Sequence, residues 1–456
     1  MGKLFGTDGI RGVPWNYPFT AGFIRKIGYA STLVLSNYKK SASGTPVMLI
    51  GRDTRASGEL IKKALVEGIW ANKFKVLDLG VISTPAVACL VKRENADFGI
   101  VISASHNPPE FNGIKFFSRD GLKLKRTIEN RIEELLLSGK PLVFRRIRHA
   151  IRKKDYSRDY LDFIKSTLPP GFSLKGLKIV IDCANGAVYK IAPEIFRELG
   201  AELTVIGARP DGNNINMDCG ALHTGAMQKA VLSAGAFCGI SFDGDADRCM
   251  FSDEKGRLLD GDDLLSIAVP YLRRTRRLTN GKAVATFMSN YGLIKYLNDL
   301  GIKVVQVPVG DKNVTDAMLR EDLKIGGESS GHIIFREFAP TGDGILTAVQ
   351  ILAAVRAMGR PFSGFKGLWK RYPQILGSLK VAHKPPLEKV QGFKNKISRF
   401  ENMLKGNGRI FIRYSGTEPL LRILVEGESR SVIKDIAEEL MEHYRKHSGA
   451  LQAVKR

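Results

Sequence analysis

Asp243, Asp245 and Asp247 alternate with small residues in the run FDGDADR, so three carboxylates can converge on one hard cation. A calcium loop of the EF-hand type competes for these residues, with Glu254 where its last ligand would fall. Against it, Arg248 occupies the position that needs the turn glycine, and an apolar strand rather than a helix leads in. A compact three-carboxylate site for Mg²⁺ acting on phosphate suits better, and Arg248 beside it is placed to meet a phosphate oxygen. A purely structural turn would crowd three anions with no counter-ion. A second run, ISASHNPPEFNGIKFF, sets Ser105 just past the end of an apolar strand, with His106 next to it and Lys115 further on. Pro108 and Pro109 bar a helix and leave a stiff, exposed turn. The residues suit a nucleophile beside a base; a polar turn capped by Ser105, His106 and Asn107 fits them equally.

Two further loops are suited to holding a substrate. In GGESSGH, paired glycines allow close backbone approach, and Glu328, Ser330 and His332 alternate as hydrogen-bonding groups for sugar hydroxyls. In RYSGTEPLLR, the hydroxyls and N–H groups of Ser415, Gly416 and Thr417 can form an anion nest. Arg413 and Arg422 add forked donors for phosphate, at about 1.5–3 kcal/mol per charge-assisted bond. Each loop also reads as an ordinary polar turn. Together they make a set for moving a phosphoryl group to or from a sugar.

The elements that must position these loops alternate β-rich runs with amphipathic stretches, the pattern of an α/β fold with largely parallel sheets. VMLIGRD, KVLDLG and DFGIVISAS read as strands around the helix GELIKKALVEGIWAN. LKIVID, ELTVIG and CGISFDG form a second set around a helix at IAPEIFRELG. KAVATFM and KVVQVPVG form a third, with helices at DDLLSIAVPYL, YGLIKYLNDLG and GILTAVQILAAVRAMG. The last part differs: strands at SLKVAH, GRIFIRYSG and LLRILVEGE precede a closing helix with Ser431 as N-cap and a basic last turn. The implied domains are 1–155, 156–256, 257–371 and 372–456.

Composition narrows the class. The 456 residues carry 70 Lys and Arg against 46 Asp and Glu, a formal net charge of +24. The densest basic clusters, Arg145 to Lys154 and Arg273 to Arg277, lack interleaved aromatics for stacking bases and read as solvated surface, so no nucleic-acid partner is expected. Five scattered cysteines form no C-x-x-C pair, which disfavours disulfides and zinc and fits a reducing cytoplasm. No apolar run has the roughly 18–20 residues of a membrane span. The opening MGKLFGTDGIRG has neither the basic-then-apolar form of a signal peptide nor, with Gly6 in place of Ser or Thr, a myristoylation signal.

The runs FGTDGIRG, SASHNP, NGIKFF, GGESSGH and RYSGTEPLLR, in this order over essentially the whole chain, resemble the α-D-phosphohexomutase superfamily, and within it most the bacterial phosphoglucosamine mutases. The resemblance implies three similar α/β domains with mixed sheets and a C-terminal α+β domain around a central cleft. It makes Ser105 a phosphoserine and a ligand, with Asp243, Asp245 and Asp247, of one Mg²⁺ per chain. Arg11, Lys115 and His106 would join Ser105 in catalysis. Glu328 and Ser330 would contact the sugar, and Arg413, Ser415, Gly416 and Thr417 the distal phosphate; the loops themselves add Arg248 and His332 to the substrate site and Arg422 to the phosphate site. The implied substrate is a phosphorylated hexose, glucosamine 6-phosphate before glucose or mannose phosphates, with glucosamine 1,6-bisphosphate as intermediate and activator. A cytoplasmic monomer or homodimer with no membrane partner is expected. Two residues depart from the superfamily pattern: Ala246 stands where glycine is common, and Ser329 where Gln or Met is common.

Overall fold

The computed structural model describes residues 4–39, 44–139, 151–415 and 419–448. It divides into two compact units, Gly2–Thr286 with Val305–Lys366, and Phe287–Val304 with Gly367–Arg456. Among the described residues no helix is long and apolar enough to cross a membrane.

Among the described residues the strands form four sheets. Across the first lie Ile10–Gly12, Asn112–Ser118, Phe98–Ile102, Val47–Arg52, Lys75–Val81 and Arg152–Lys153. Val47–Arg52 is parallel to both Lys75–Val81 and Phe98–Ile102, but Asn112–Ser118 returns antiparallel to Phe98–Ile102. The second sheet orders Leu258–Leu259, Cys249–Asp253, Cys238–Phe242, Lys178–Asp182 and Glu202–Ile206, and changes from parallel to antiparallel between Cys238–Phe242 and Cys249–Asp253. In the third, Lys282–Thr286 is parallel to Ile325–Gly327, which meets Ile333–Phe335 antiparallel. The alternation predicted largely parallel sheets; the sheets are mixed. A parallel partner needs a crossover of about a dozen residues or more, and the loops carrying the candidate residues are too short for one. Each loop therefore turns its chain straight back, and the serine, aspartate and GGESSGH loops occupy the same joint of three sheets.

Burial anchors the strands that lead into those joints. Phe98–Ile102 and Cys238–Phe242 are buried at every residue, as continuous apolar runs in covered sheets are. The first sheet packs Met48, Ile50 and Ile100 against Ile24, Ile27, Ile61, Leu65 and Ile132 of the helices Ala21–Leu35, Gly58–Trp70 and Arg126–Leu137. Each such side chain contributes about 1.5–3 kcal/mol. All five cysteines are buried and free, as small apolar residues. Arg273, Arg274 and Arg276 are exposed at or just past a helix end, while Arg145, Arg146 and Arg148 lie outside the described residues.

In the unit holding Gly367–Arg456, Leu420–Gly427 lies between Gln374–Lys380 and Gly408–Tyr414, antiparallel to both. The helices Phe393–Leu404 and Arg430–Ser448 supply Phe393, Phe400, Ile433 and Leu440 to its core. The strand read at SLKVAH ends at Lys380. The closing helix starts at Arg430, so Ser431 lies inside its first turn and not at the cap; Ser429 precedes it, its carbonyl accepting from the Ile433 N–H at 3.1 Å.

Candidate active site

Ser105 is built into the joint between Phe98–Ile102 and Asn112–Ser118 with φ of 53°. The turn is not exposed: Ser105 retains 1% of its accessible surface, because the aspartate loop covers it. A Cβ on Gly244 would come within 2.7 Å of the Ser105 carbonyl oxygen, so only glycine lets the two loops meet. The Ser105 hydroxyl donates to Asp243 Oδ2 at 2.6 Å, and His106 Nδ1 stands 3.3 Å from Oγ. Burial, with Arg248 and Arg11 nearby, pushes His106 down to about 4, so its ring is neutral at physiological pH.

Asp243, Asp245 and Asp247 are all buried, and one oxygen from each lies within 4.8 Å of the others. Ala246, between two of them, has φ of 56°, which accounts for a glycine preference there. Asp245 Oδ2 accepts from Thr84 Oγ1 and, at 2.8 Å, from Lys115 Nζ. The Oδ1 atoms of Asp245 and Asp247 are buried with no hydrogen-bond partner. Burial, then Asp247 and Asp245, raises Asp243 well above the usual carboxylate range. Clustered buried anions with orphaned oxygens fit a small divalent cation and no neutral occupant.

Lys115 is 1% exposed and touches Asp245 and Asp8, each at 2.8 Å. Burial alone would lower its pKa, but Asp245 and Asp8 hold it far above the ordinary lysine value, so it is a fixed cation. Arg11 donates to Asp8 at 2.6 Å and to Asn107 Oδ1 at 2.9 Å, which ties the opening FGTDGIRG run to the serine loop. Asp8 also pairs with Lys123, which bonds Asp311 in turn. Against burial, Lys115, Lys123 and Arg11 keep Asp8 well below its usual range.

The GGESSGH loop sits against the residue that follows the aspartate loop through backbone contacts. The Cys249 N–H donates to the Gly331 carbonyl at 3.2 Å, and Gly331, at φ of 86°, approaches so closely that a Cβ would fall 2.3 Å from the Cys249 carbonyl oxygen. His332 Nδ1 is 3.8 Å from Asp247 Oδ2, and its buried Nε2 has no partner. Burial would lower this ring's pKa, but Asp247 raises it above the ordinary value. His332 is therefore paired with Asp247. Glu328 Oε1 accepts from the Gly310 N–H at 2.9 Å, whereas Ser330 Oγ and Arg248 Nε are buried without hydrogen-bond partners. The Arg248 N–H donates to Asp243 at 3.2 Å and its Nε lies 3.6 Å from Asp247.

In the other unit, Arg413 and Arg422 are direct antiparallel partners on neighbouring strands. Burial and Arg422 lower the Arg413 pKa. The Ser415 N–H donates to Leu420, and the Ser415 carbonyl accepts from Lys384 at 2.6 Å, a cation the sequence reading does not single out. Gly416 and Thr417 lie outside the described residues. The sequence reading also passes over Asp8, Lys123, Thr84, Arg55 and Asn216. Asp8 falls within the quoted FGTDGIRG run, and Arg55 closes the GRDTR run after an apolar strand; the others carry no local signal.

A buried serine hydroxyl set against three clustered carboxylates, in a mixed-sheet α/β scaffold, has the parts that phosphoryl transfer needs. Models of phosphoglucomutase/phosphomannomutase α/β/α domains I, II and III match residues 2–141, 158–256 and 260–372, and that of the C-terminal domain matches 378–443. The chain belongs to the phosphoglucomutase/phosphomannomutase family, and is an intramolecular phosphotransferase of the phosphohexomutase type with four domains. It is 45% identical over 449 residues to a phosphoglucosamine mutase of Caldicellulosiruptor bescii, covering 96% of this chain and 98% of that one. A phosphoglucosamine mutase of Geobacter sp. strain M21 is 44% identical, over 96% and 97%. In fold, the chain is similar to a phosphoglucomutase/phosphomannomutase family protein of Burkholderia thailandensis, with a TM-score of 0.80 at 22% identity over 99% and 100% of the two chains.

Proposed function

We propose that this enzyme interconverts glucosamine 6-phosphate and glucosamine 1-phosphate through a phosphorylated Ser105. The observation that carries the reading is the Ser105 hydroxyl 2.6 Å from Asp243, inside a cluster of buried carboxylates that have oxygens to spare. Relatives at 44–45% identity that are named for this activity support the choice of sugar.

The transfer balances without an added reactant. The P–O bond to Ser105 Oγ breaks, a P–O bond to the free sugar hydroxyl forms, and the hydroxyl proton is matched by the proton gained at Ser105 Oγ. The product is glucosamine 1,6-bisphosphate, which reorients and returns its other phosphoryl group to Ser105 by the same exchange. Mg²⁺ held by Asp243, Asp245, Asp247 and an oxygen of the phosphorylated Ser105 would supply charge neutralisation at the transferring group. The bisphosphate carries about −3 to −4 at neutral pH. Lys115, held cationic by Asp8 and Asp245, and Arg248 offset that charge at the reacting end, and Arg11 fixes the serine loop through Asn107. Ser330 and Glu328 offer polar groups to the sugar, with His332 shared with Asp247. Arg413, Ser415, Gly416, Thr417 and Arg422 are assigned the phosphate remote from Ser105.

Side-by-side mutase assays on glucosamine, glucose and mannose 6-phosphates, each primed with its bisphosphate, test the reading. A preference for glucosamine 6-phosphate is expected; a higher kcat/KM on mannose or glucose phosphate overturns the choice of sugar, and no mutase activity on any overturns the mechanism.

A further inference from the structure

Arg55 is a large charged side chain with no exposure and no place in the chemistry above. Its Nε donates to Asp53 Oδ2 at 2.9 Å. Every other bond of its guanidinium goes to a backbone carbonyl of the serine loop. Nη1 reaches Pro108 and, at 2.9 Å, Phe111; Nη2 reaches Ser105 at 3.1 Å and Asn107 at 2.8 Å. Asp53 completes the frame, because it accepts from Ser103 Oγ at 2.6 Å, and Ser103 Oγ accepts from the Ser105 N–H at 2.9 Å. From the opposite side Asn216 Nδ2 donates to the same Ser105 and Asn107 carbonyls, at 2.8 and 3.1 Å.

Ser105 is thus gripped at its N–H and from two directions at its carbonyl. Its φ of 53° lies where an L-residue with a Cβ is strained by about 1–2 kcal/mol, so this conformation has to be imposed. A planar guanidinium can span four carbonyls at once; a lysine ammonium is a point donor with neither the reach nor the fork. The backbone of Ser105 determines where Oγ stands relative to Asp243.

We propose that Arg55 and Asn216 are positioning residues. They hold the left-handed turn at Ser105 and so aim its phosphorylated oxygen at the carboxylate cluster, touching neither substrate nor metal. This rests on Ser105 being the phosphoryl carrier, as proposed above.

The test uses the full chain with wild type, Arg55→Lys, Asn216→Ala and the double variant Asp53→Asn/Arg55→Met, which leaves no buried charge unpaired. Each is loaded with phosphate by excess glucose 1,6-bisphosphate, its Ser105 phosphorylation is measured by intact mass, and a single turnover onto glucosamine 6-phosphate is followed by quenched flow. A displacement near 1 Å costs about a hundredfold in rate, so transfer per phosphorylated Ser105 should slow about thirty- to a hundredfold in Arg55→Lys. Asn216→Ala should slow it less, with KM for the sugar within about threefold in both. A purely structural role would lower the folded yield and leave the rate per phosphorylated enzyme at the wild-type value. That outcome, in Arg55→Lys or, should it not fold, in the double variant, overturns the proposal, as does a loss confined to KM. Wild type that takes up no phosphate on Ser105 overturns instead the reading beneath it.

Discussion

Arg413 and Arg422 face each other directly across antiparallel strands, two guanidinium groups on one face of a sheet. Like charges in that register destabilise a sheet by roughly 0.2–1 kcal/mol. The phosphate assigned to these two residues in the proposed function would offset that repulsion when bound. Arg413→Ala should therefore leave thermal stability unchanged or slightly higher while weakening phosphate binding by about 1.5–3 kcal/mol, roughly ten- to a hundredfold in KM. The bisphosphate should also escape before it reorients, leaving Ser105 dephosphorylated and turnover partly restored by added bisphosphate. A melting curve and a KM measurement decide: an unstable variant with normal KM would show the arginines to be structural.

Ser105→Ala should remove mutase activity by several orders of magnitude and leave the fold intact, since the serine hydroxyl bonds only at its own site, to Asp243 and near His106. Intact-mass spectra should show a phosphate adduct on wild type and none on the variant. Near-normal turnover by the variant would end the phosphoserine mechanism.

Asp245 balances a cation on one oxygen and leaves the other free, with Lys115 at 2.8 Å its nearest counter-charge. Asp245→Asn should raise the Mg²⁺ concentration for half-maximal activity at least tenfold, because a third of the carboxylate charge is gone. Activity titrated against Mg²⁺ measures this, and wild type in excess chelator should be inactive; full activity there rejects the metal assignment.

Asp343 caps the helix Gly344–Met358 and accepts from the Tyr160 hydroxyl at 2.7 Å, fully buried. Burial raises its pKa from 3.8 to about 6. The folded state then holds this proton more tightly than the unfolded chain, so the contribution is present below about pH 4 and is lost as pH rises through about 6. The shift corresponds to about 3 kcal/mol. Asp343→Asn keeps the cap and offers Tyr160 a donor without titrating. Urea unfolding from pH 4 to 7 should show the variant gaining on wild type by about that amount, with the slope m unchanged. A stability gap that is flat with pH refutes this.

How much of this was legible in the chain depends on distance along it. Asp243, Asp245, Asp247 and Arg248 share one short loop, so alternation with small residues after an apolar strand is enough to bring the carboxylates together. Buried strands such as Phe98–Ile102 are equally readable, since an unbroken apolar run has to be covered on both faces. Helices with little to bury were not. Gly225–Ala234 buries only Met227 and Val231, too narrow a stripe to stand out, and it forms because the sheet beside it needs covering.

Tertiary structure alone decided the rest. Whether Ser105 stood in an exposed turn or was buried depended on Gly244, more than a hundred residues away, closing over it. Lys115 could be read as a base until Asp8 and Asp245 were seen to hold it charged. Asn216 had no signal of its own, and Arg55 only its place in GRDTR after an apolar strand, because their partners are backbone carbonyls, which every residue possesses. Local pattern determines what a loop can do chemically; which protonation state and which conformation it adopts are set by desolvation and by charges that only the folded chain brings near.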